Sequence, residues 1–245
     1  MKPNALIIGA GKAGSTSLHN YLASHPNILG SKPKEVMYFT SKYENGSAWY
    51  ESHFPETDGV DIYFESTPQY SFRDEFPYVA SRVFNYNSDT KIIYIVRNPI
   101  SRIISHFNHW SRVYPDRYVD LETSLSKEAH RKYFVDRTKY FYQIESYRKF
   151  FSDEQIKVVF LEDVQSSFEE TLNDVFEFLG VSVLASSIPK KVHNRRPTVT
   201  TRIWTEADLT AERMREIQCY LKDDVVELLR YCGKPQDFWG PEFCK

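Results

Sequence analysis

A lysine stands at position 12 inside a run of small residues, LIIGAGKAGSTSL (6–18), and its place decides what chemistry the run can do. Gly9, Gly11 and Gly14 have the G-x-G-x-x-G spacing with which a strand turns into a helix around a dinucleotide pyrophosphate. Gly9, Gly14 and Thr16 also fit the triphosphate loop G-x-x-x-x-G-K-[ST], except that Ser15 stands where the lysine belongs. Either way, an apolar strand, a glycine turn and a helix start make an anion site. Amides of a first helical turn lack intrahelical partners, and the helix dipole favours negative charge there. Ser15, Thr16 and Ser17 add hydroxyl donors.

Both familiar readings are incomplete. A dinucleotide fold wants an acid closing its second strand about twenty residues on. Glu35 has the distance, but it follows the loop HPNILGSKPK and precedes the apolar VMYF. A triphosphate site wants lysine beside the hydroxyl and a strand ending in a magnesium aspartate, and the sequence offers neither. Lys12 lies in the turn itself, so its ammonium reaches the outer, transferring end of a 5′-phosphate. There it would neutralise charge on a leaving phosphate without a metal.

Two further segments carry chemistry. In KIIYIVRNPISRIISHFNHW (91–110), a strand ends at Val96, Arg97 follows, and Pro99 suits a first helical turn. Ile100, Ile103, Ile104 and Phe107 fall on one face of that helix, Ser101, Ser105, Asn108 and Arg112 on another. An arginine at a strand's carboxyl end suits a second phosphate. In SKPKEVMYF (31–39), Glu35 supplies a carboxylate, and a hydroxyl attacking an electrophile must lose its proton as the new bond forms.

The pattern strand–G-x-x-K-x-G-[ST]-[ST] resembles the 5′-phosphosulfate loop of sulfotransferases that use 3′-phosphoadenosine 5′-phosphosulfate (PAPS). Arg97 with Ser105 eight residues on is similar to that family's 3′-phosphate segment. KEVMYF is similar to the K-E-x-x-[FY]-F stretch that supplies the base in carbohydrate sulfotransferases. The resemblance runs from about residue 5 to about residue 240 and implies a bacterial or carbohydrate-type member. It implies PAPS as donor, no metal, and a hydroxyl acceptor, carbohydrate or glycoconjugate. Lys12, Ala13, Gly14, Ser15, Thr16 and Ser17 would hold the 5′-phosphosulfate, and Arg97 and Ser105 the 3′-phosphate. Lys12 and Glu35 would be catalytic, the first stabilising the leaving phosphate and the second acting as base. The small-molecule branch uses a histidine instead, and none occurs between Pro26 and Tyr50. His53, His106 and His109 are outside candidates for that role, each more often a structural residue.

Looser similarities agree. SAWYESHFP (47–55) and FESTPQY (64–70) are similar to family segments. With Tyr38 of KEVMYF, the resemblance would put His53 and Tyr70 on the acceptor side, where Pro68 and Tyr70 would shape the groove or merely cap a strand. Glycan-modifying relatives often carry lysine where Ser66 stands. KKVHNRRP (190–197) is similar to the late loop that closes over the nucleotide, without its usual glycine. Arg195 and Arg196 would add phosphate contacts there, with Lys191 and Asn194 behind them. YLKDDVVELLRYCGKPQDFWG resembles the closing helix and tryptophan. An atypical P-loop kinase or NTPase is the alternative enzyme, and a catalytically silent nucleotide- or glycan-binding module the alternative outside enzymes.

These residues need an α/β frame. Strands are expected at 5–8, 60–64, 91–96 and 156–161, and helices at 15–24, 77–86, 100–112, 139–151, 163–179 and 210–231. Such alternation predicts one domain, 1–245, with a central parallel sheet flanked by helices and a P-loop-like phosphosulfate loop. Phe168, Leu172, Val175, Phe176 and Leu179 form a core stripe, as do Met214, Ile217, Leu221, Val225 and Leu228. Gly233 is placed to end the last helix. The polar region 114–138 reads as a substrate-facing lid or as a solvated helix pair, and 185–204 as a long basic loop.

Bulk properties exclude other classes. The chain has 245 residues, 41% hydrophobic and 26% charged, so it is an ordinary globular protein rather than a disordered one. Seventeen Tyr and seventeen Phe exceed ordinary core needs and are expected in part to line a groove. A net charge of −2 argues against broad nucleic-acid binding. Cys219, Cys232 and Cys244 are too irregular for a disulfide framework or zinc site, although a Cys232–Cys244 bridge stays open. No leader signature and no apolar run of membrane length occurs, and a soluble cytoplasmic protein is expected.

Overall fold

The apolar runs form parallel strands. The computed structural model describes residues 1–182, 185–190 and 202–243. In chain order its elements begin β1 (Ala5–Gly9), α1 (Ser15–Leu22), β2 (Ile28–Gly30), α2 (Gly46–Glu51), β3 (Ile62–Ser66), α3 (Val79–Tyr86) and β4 (Lys91–Val96). They continue with α4 (Pro99–Val113), α5 (Leu121–Ser126), α6 (Glu128–Phe134), α7 (Tyr140–Arg148), β5 (Ile156–Phe160), α8 (Leu161–Ser166), α9 (Phe168–Leu179) and α10 (Ala211–Tyr231). The chain divides into two compact units, Met1–Val96 with Ile144–Arg195, and Arg97–Gln143 with Arg196–Lys245.

The first unit holds the whole five-stranded sheet, in the order β2-β3-β1-β4-β5, with every pairing parallel. β1 is central, Ala5 pairing with Phe64 on one side and Lys91 on the other. Such strands are covered on both faces and so read as continuous apolar runs rather than alternating ones. All five residues of β1 are buried. Ile7, Ile93 and Ile95 pack in one core with Leu18 and Leu22 of α1 and with Leu172, Val175, Phe176 and Leu179 of α9. That bears out the first apolar stripe.

Three details correct the expectation from sequence. The helix expected over 163–179 is two helices, with Ser167 between them at φ −131° and ψ 57°. Val164 of the first and Phe168 of the second are buried in the same core, so apolar spacing runs across the break and does not reveal it. β2 was not foreseen, because a three-residue strand is too short to show a period. It joins the sheet through Ile28 opposite Ile62. The strand expected at 60–64 sits two residues later.

The second unit is helical. Asn98 accepts a hydrogen bond from the amide of Ser101 (3.1 Å) and Pro99 starts α4, a standard beginning. Ile100, Ile103, Ile104 and Phe107 are buried as their spacing predicts. Region 114–138 holds the helix pair α5–α6, but with Leu121, Leu125 and Phe134 buried. Arg102 is also buried, and its Nη1 donates to the Phe134 carbonyl (2.9 Å) and to Thr138 Oγ1 (3.0 Å). On α10, Ile217, Leu221, Val225 and Leu228 are buried and Met214 is only partly so. Gly233, at φ 64°, lies just past the C-cap Cys232. Asp224 accepts from the amides of Phe141 (3.1 Å) and Tyr142 (2.7 Å), and burial pushes its pKa up to about 6. Cys219 and Cys232 are free thiols, while Cys244 lies outside the described residues. Among the described residues no helix is long and apolar enough to cross a membrane.

Candidate functional site

β1 is followed by the glycine turn, and α1 begins at Ser15. The turn closes on the sheet and on itself: the Ala10 amide donates to the Ile95 carbonyl (2.6 Å) and the Ala13 amide to the Ala10 carbonyl (3.2 Å). Lys12 has φ 70°, in the left-handed region that few non-glycine residues occupy. Gly14 is the N-cap of α1 at φ 102°, and a Cβ there would come within 2.9 Å of Leu161 Cδ1. Having no side chain, it cannot cap the helix, and the first turn of α1 contains no acidic residue. The positive end of the helix is therefore not neutralised by its own first turn. Ser15 is buried, and Thr16 and Ser17 are half-buried.

Glu35 follows a stretch tied to the end of β3. The Ser66 amide donates to the Lys34 carbonyl (3.2 Å), and Ser31 Oγ donates to the same oxygen (3.0 Å). The Glu35 side chain is 44% exposed and pairs with Lys34 Nζ at 3.1 Å. The residues after it are fastened from below. The Val36 amide donates to Glu65 Oε2 (3.1 Å), the Met37 amide to Thr67 Oγ1 (3.3 Å), and the Phe39 amide to Tyr70 Oη (3.2 Å). Met37 has φ 58°. The Thr67 amide in turn donates to the Ile7 carbonyl (3.2 Å). Hence the glycine turn and the Glu35 loop sit at the carboxyl ends of two neighbouring strands, where open α/β sheets bind ligands.

The acceptor-side candidates are packed into this same frame. Tyr38 is 4% exposed and stacks on Tyr50, with ring centroids 4.3 Å apart and planes 9° from parallel. Tyr70 is 2% exposed and gives its hydroxyl hydrogen to Glu65. His53 turns Nδ1 toward the carbonyls of Trp49 (3.0 Å) and Tyr50 (3.2 Å). Pro68 opens the short turn holding Tyr70. Ser66 is fully buried with its Oγ 2.8 Å from His19 Nδ1. Burial, aided by the Lys34 charge, lowers the His19 pKa to about 4, so the ring is neutral at pH 7. Gly30 makes room for that ring, since a Cβ there would meet it at 2.9 Å.

In the second unit, Arg97 begins the segment after β4, and its carbonyl accepts from Tyr140 Oη (2.8 Å). Ser105 lies half-buried on α4. Among the described residues neither side chain has a hydrogen-bond or ion-pair partner. His106 Nε2 accepts from Trp110 Nε1 (2.9 Å) and its ring stacks on Tyr133, while His109 stands edge-on to Trp110. Lys191, Asn194, Arg195 and Arg196 lie outside the described residues. Among the described residues no group of three or more His, Cys, Asp or Glu side chains could hold a metal ion.

Sequence reasoning passed over Glu65, Thr67 and Tyr50, which hold the Glu35 loop and its aromatic floor. The available signal was an acid inside an apolar strand, followed at two and five residues by side chains able to donate to it.

Comparison with known proteins adds the following. The family model described as "Sulfotransferase domain" matches residues 2–219. The crystal structure of a sulfotransferase from Alicyclobacillus acidocaldarius is similar at TM-score 0.77 and 25% identity, over 98% of this chain and 99% of that one. Mouse sulfotransferase SULT7A1, solved in complex with PAP, shares the fold at TM-score 0.55 and 17% identity, over 94% and 85% of the two chains. In sequence, human heparan sulfate glucosamine 3-O-sulfotransferase 6 is 41% identical over 107 residues, which cover 43% of this chain and 30% of that protein. The membrane-associated sulfotransferase kil1 of Dictyostelium discoideum is 36% identical over 109 residues, 43% of this chain and 22% of that one. The match thus spans less than a third of the length of either curated relative.

Proposed function

Since the chain belongs to the sulfotransferase domain family, we propose that it moves a sulfuryl group from PAPS to a hydroxyl of a carbohydrate or glycoconjugate. The observation that carries this reading is the pairing of an anion-ready helix end with a fastened carboxylate loop at one end of one sheet. The glycine turn suits a 5′-phosphate: the N-cap has no side chain, the first turn has no acid, and Lys12 sits in the turn itself.

The acceptor oxygen attacks sulfur while the bond from sulfur to the bridging oxygen breaks, and that electron pair leaves on the 5′-phosphate. The acceptor proton passes to the Glu35 carboxylate. Lys12 and the start of α1, Gly14 to Ser17, supply positive charge where the leaving oxygen gains its own. Arg97 and Ser105 are assigned the 3′-phosphate on their spacing, and that contact would separate this donor from ATP. The acceptor class draws on the carbohydrate enzymes among the relatives. Ser66, committed to His19, marks a departure from glycan-modifying members that carry lysine there.

The test is calorimetry with 3′,5′-diphosphoadenosine and with ATP, each with and without magnesium. Transfer of labelled sulfuryl from PAPS to heparosan, chondroitin and simple alkyl glycosides accompanies it. Tighter binding of the diphosphate, independent of magnesium, together with transfer is expected. Magnesium-dependent ATP binding at equal or greater affinity would sink the reading in favour of an NTPase. Diphosphate binding without transfer to any acceptor would leave a silent module.

A further inference from the structure

Glu65 is an acid inside a strand, 0% exposed, and the chemistry above gives it nothing to do. Four donors converge on it. Tyr50 Oη (2.7 Å) and Tyr70 Oη (2.6 Å) donate to Oε1, and Thr67 Oγ1 (2.9 Å) and the Val36 amide (3.1 Å) donate to Oε2. A carboxylate has about four lone-pair sites, so this one accepts at every site. Burial raises its pKa more than the four donors lower it.

Two of those donors also accept. Thr67 Oγ1 takes the Met37 amide, and Tyr70 Oη takes the Phe39 amide. Three backbone amides within four residues of Glu35 therefore end, directly or through one hydroxyl, on a single buried carboxylate. That anchoring sets where the backbone carrying Glu35 stands. We infer that Glu65 is a positioning residue that fixes the Glu35 carboxylate for proton abstraction without touching the reacting atoms. The inference rests on the reading of Glu35 as the base.

A carboxylate is needed here because every neighbour donates. Glutamine has the same shape but presents two N–H donors on one side. Those donors would face either the two tyrosine hydroxyls or the Thr67–Val36 pair, and the Val36 amide cannot reverse its direction. Glu65→Gln therefore releases part of the loop while conserving volume. Tyr50→Phe is the matched control. It removes one donor from Glu65 and keeps the ring stacked on Tyr38, yet breaks no bond to residues 36–39.

Two readouts decide the matter. The first needs no acceptor: hydrogen exchange at the amides of Val36, Met37 and Phe39. Exchange at least tenfold faster is expected in Glu65→Gln, with the β1 and β4 amides unchanged and Tyr50→Phe like the parent. Unchanged exchange at those three amides overturns the inference. The second is kinetics on the acceptor that the parent sulfates. In Glu65→Gln, kcat should fall on the order of 10–100-fold, as displacement of a catalytic group by about 1 Å can cause. Affinity for 3′,5′-diphosphoadenosine should stay within twofold. The double variant Glu35→Gln/Glu65→Gln should be no slower than Glu35→Gln alone, since both changes act through one group. If Glu35→Gln slows transfer and Glu65→Gln does not, the positioning role fails alone. If Glu35→Gln leaves kcat intact, the base assignment fails, whatever the exchange data say about the loop.

Discussion

Arg97 and Glu65 face the problem of a charge in a protein from opposite sides. Glu65 is enclosed and satisfied by four donors, and Arg97 has no side-chain partner among the described residues. A planar guanidinium left in that state is suited to a phosphate. Arg97→Ala is expected to weaken 3′,5′-diphosphoadenosine roughly 10–100-fold, the worth of about 1.5–3 kcal/mol in charged hydrogen bonds, and to leave 5′-AMP within twofold. Equal losses for both nucleotides, measured by calorimetry, would remove the 3′-phosphate from its role. Lys12 differs from both residues in that its type mattered less than its position. A lysine three places earlier than a triphosphate loop allows was readable directly, because the rule it breaks is local. Ser66 was readable as a departure, but not as the hydrogen-bond partner of His19 forty-seven residues away.

At the scale of elements, the same division between local and distant holds. β1, its glycine turn and α1, and likewise β4, Arg97 and α4, follow rules spanning a few residues: an apolar strand, a glycine or proline, a helix start. These were legible. The Glu35 loop was legible as a motif but not as a structure, because its anchors come from β3, and β3 gains its outer neighbour through a three-residue strand with no pattern of its own. Element α1 also makes a prediction through His19. Its folded pKa of about 4 lies below the ordinary imidazole value of 6.5, so the unfolded chain takes up a proton first as pH falls. The stability contributed by neutral His19 is full above pH 6.5, declines between 6.5 and 4, and levels off below. The full loss is roughly 3 kcal/mol. His19→Gln should flatten that part of the profile when urea midpoints are compared at pH 7.5 and 4.5. Parallel profiles for parent and variant would show that the ring does not titrate as its burial implies.

For the molecule as a whole, donor binding and folding are linked. A nucleotide that binds only the folded chain at a hundred times its Kd adds about 2.7 kcal/mol, which for a chain of this length raises Tm by about 5–10 °C. Calorimetric scans with 3′,5′-diphosphoadenosine should show that rise, and scans with ATP at the same concentration should not. One further property emerges only when the backbone is surveyed end to end. Among the described residues, the non-glycine positions with positive φ are Lys12 and Met37, one in each loop proposed to do chemistry. Left-handed backbone costs a side-chain-bearing residue roughly 1–2 kcal/mol, so the fold stores conformational strain in the two loops proposed to do the chemistry. Met37→Gly should release it, adding up to about 1 kcal/mol in a denaturant titration, while the loop loses definition and kcat falls. A variant that loses both stability and rate would refute this exchange. Hardening this protein against heat and keeping its turnover are therefore competing demands, and they meet at a methionine two residues from the proposed base.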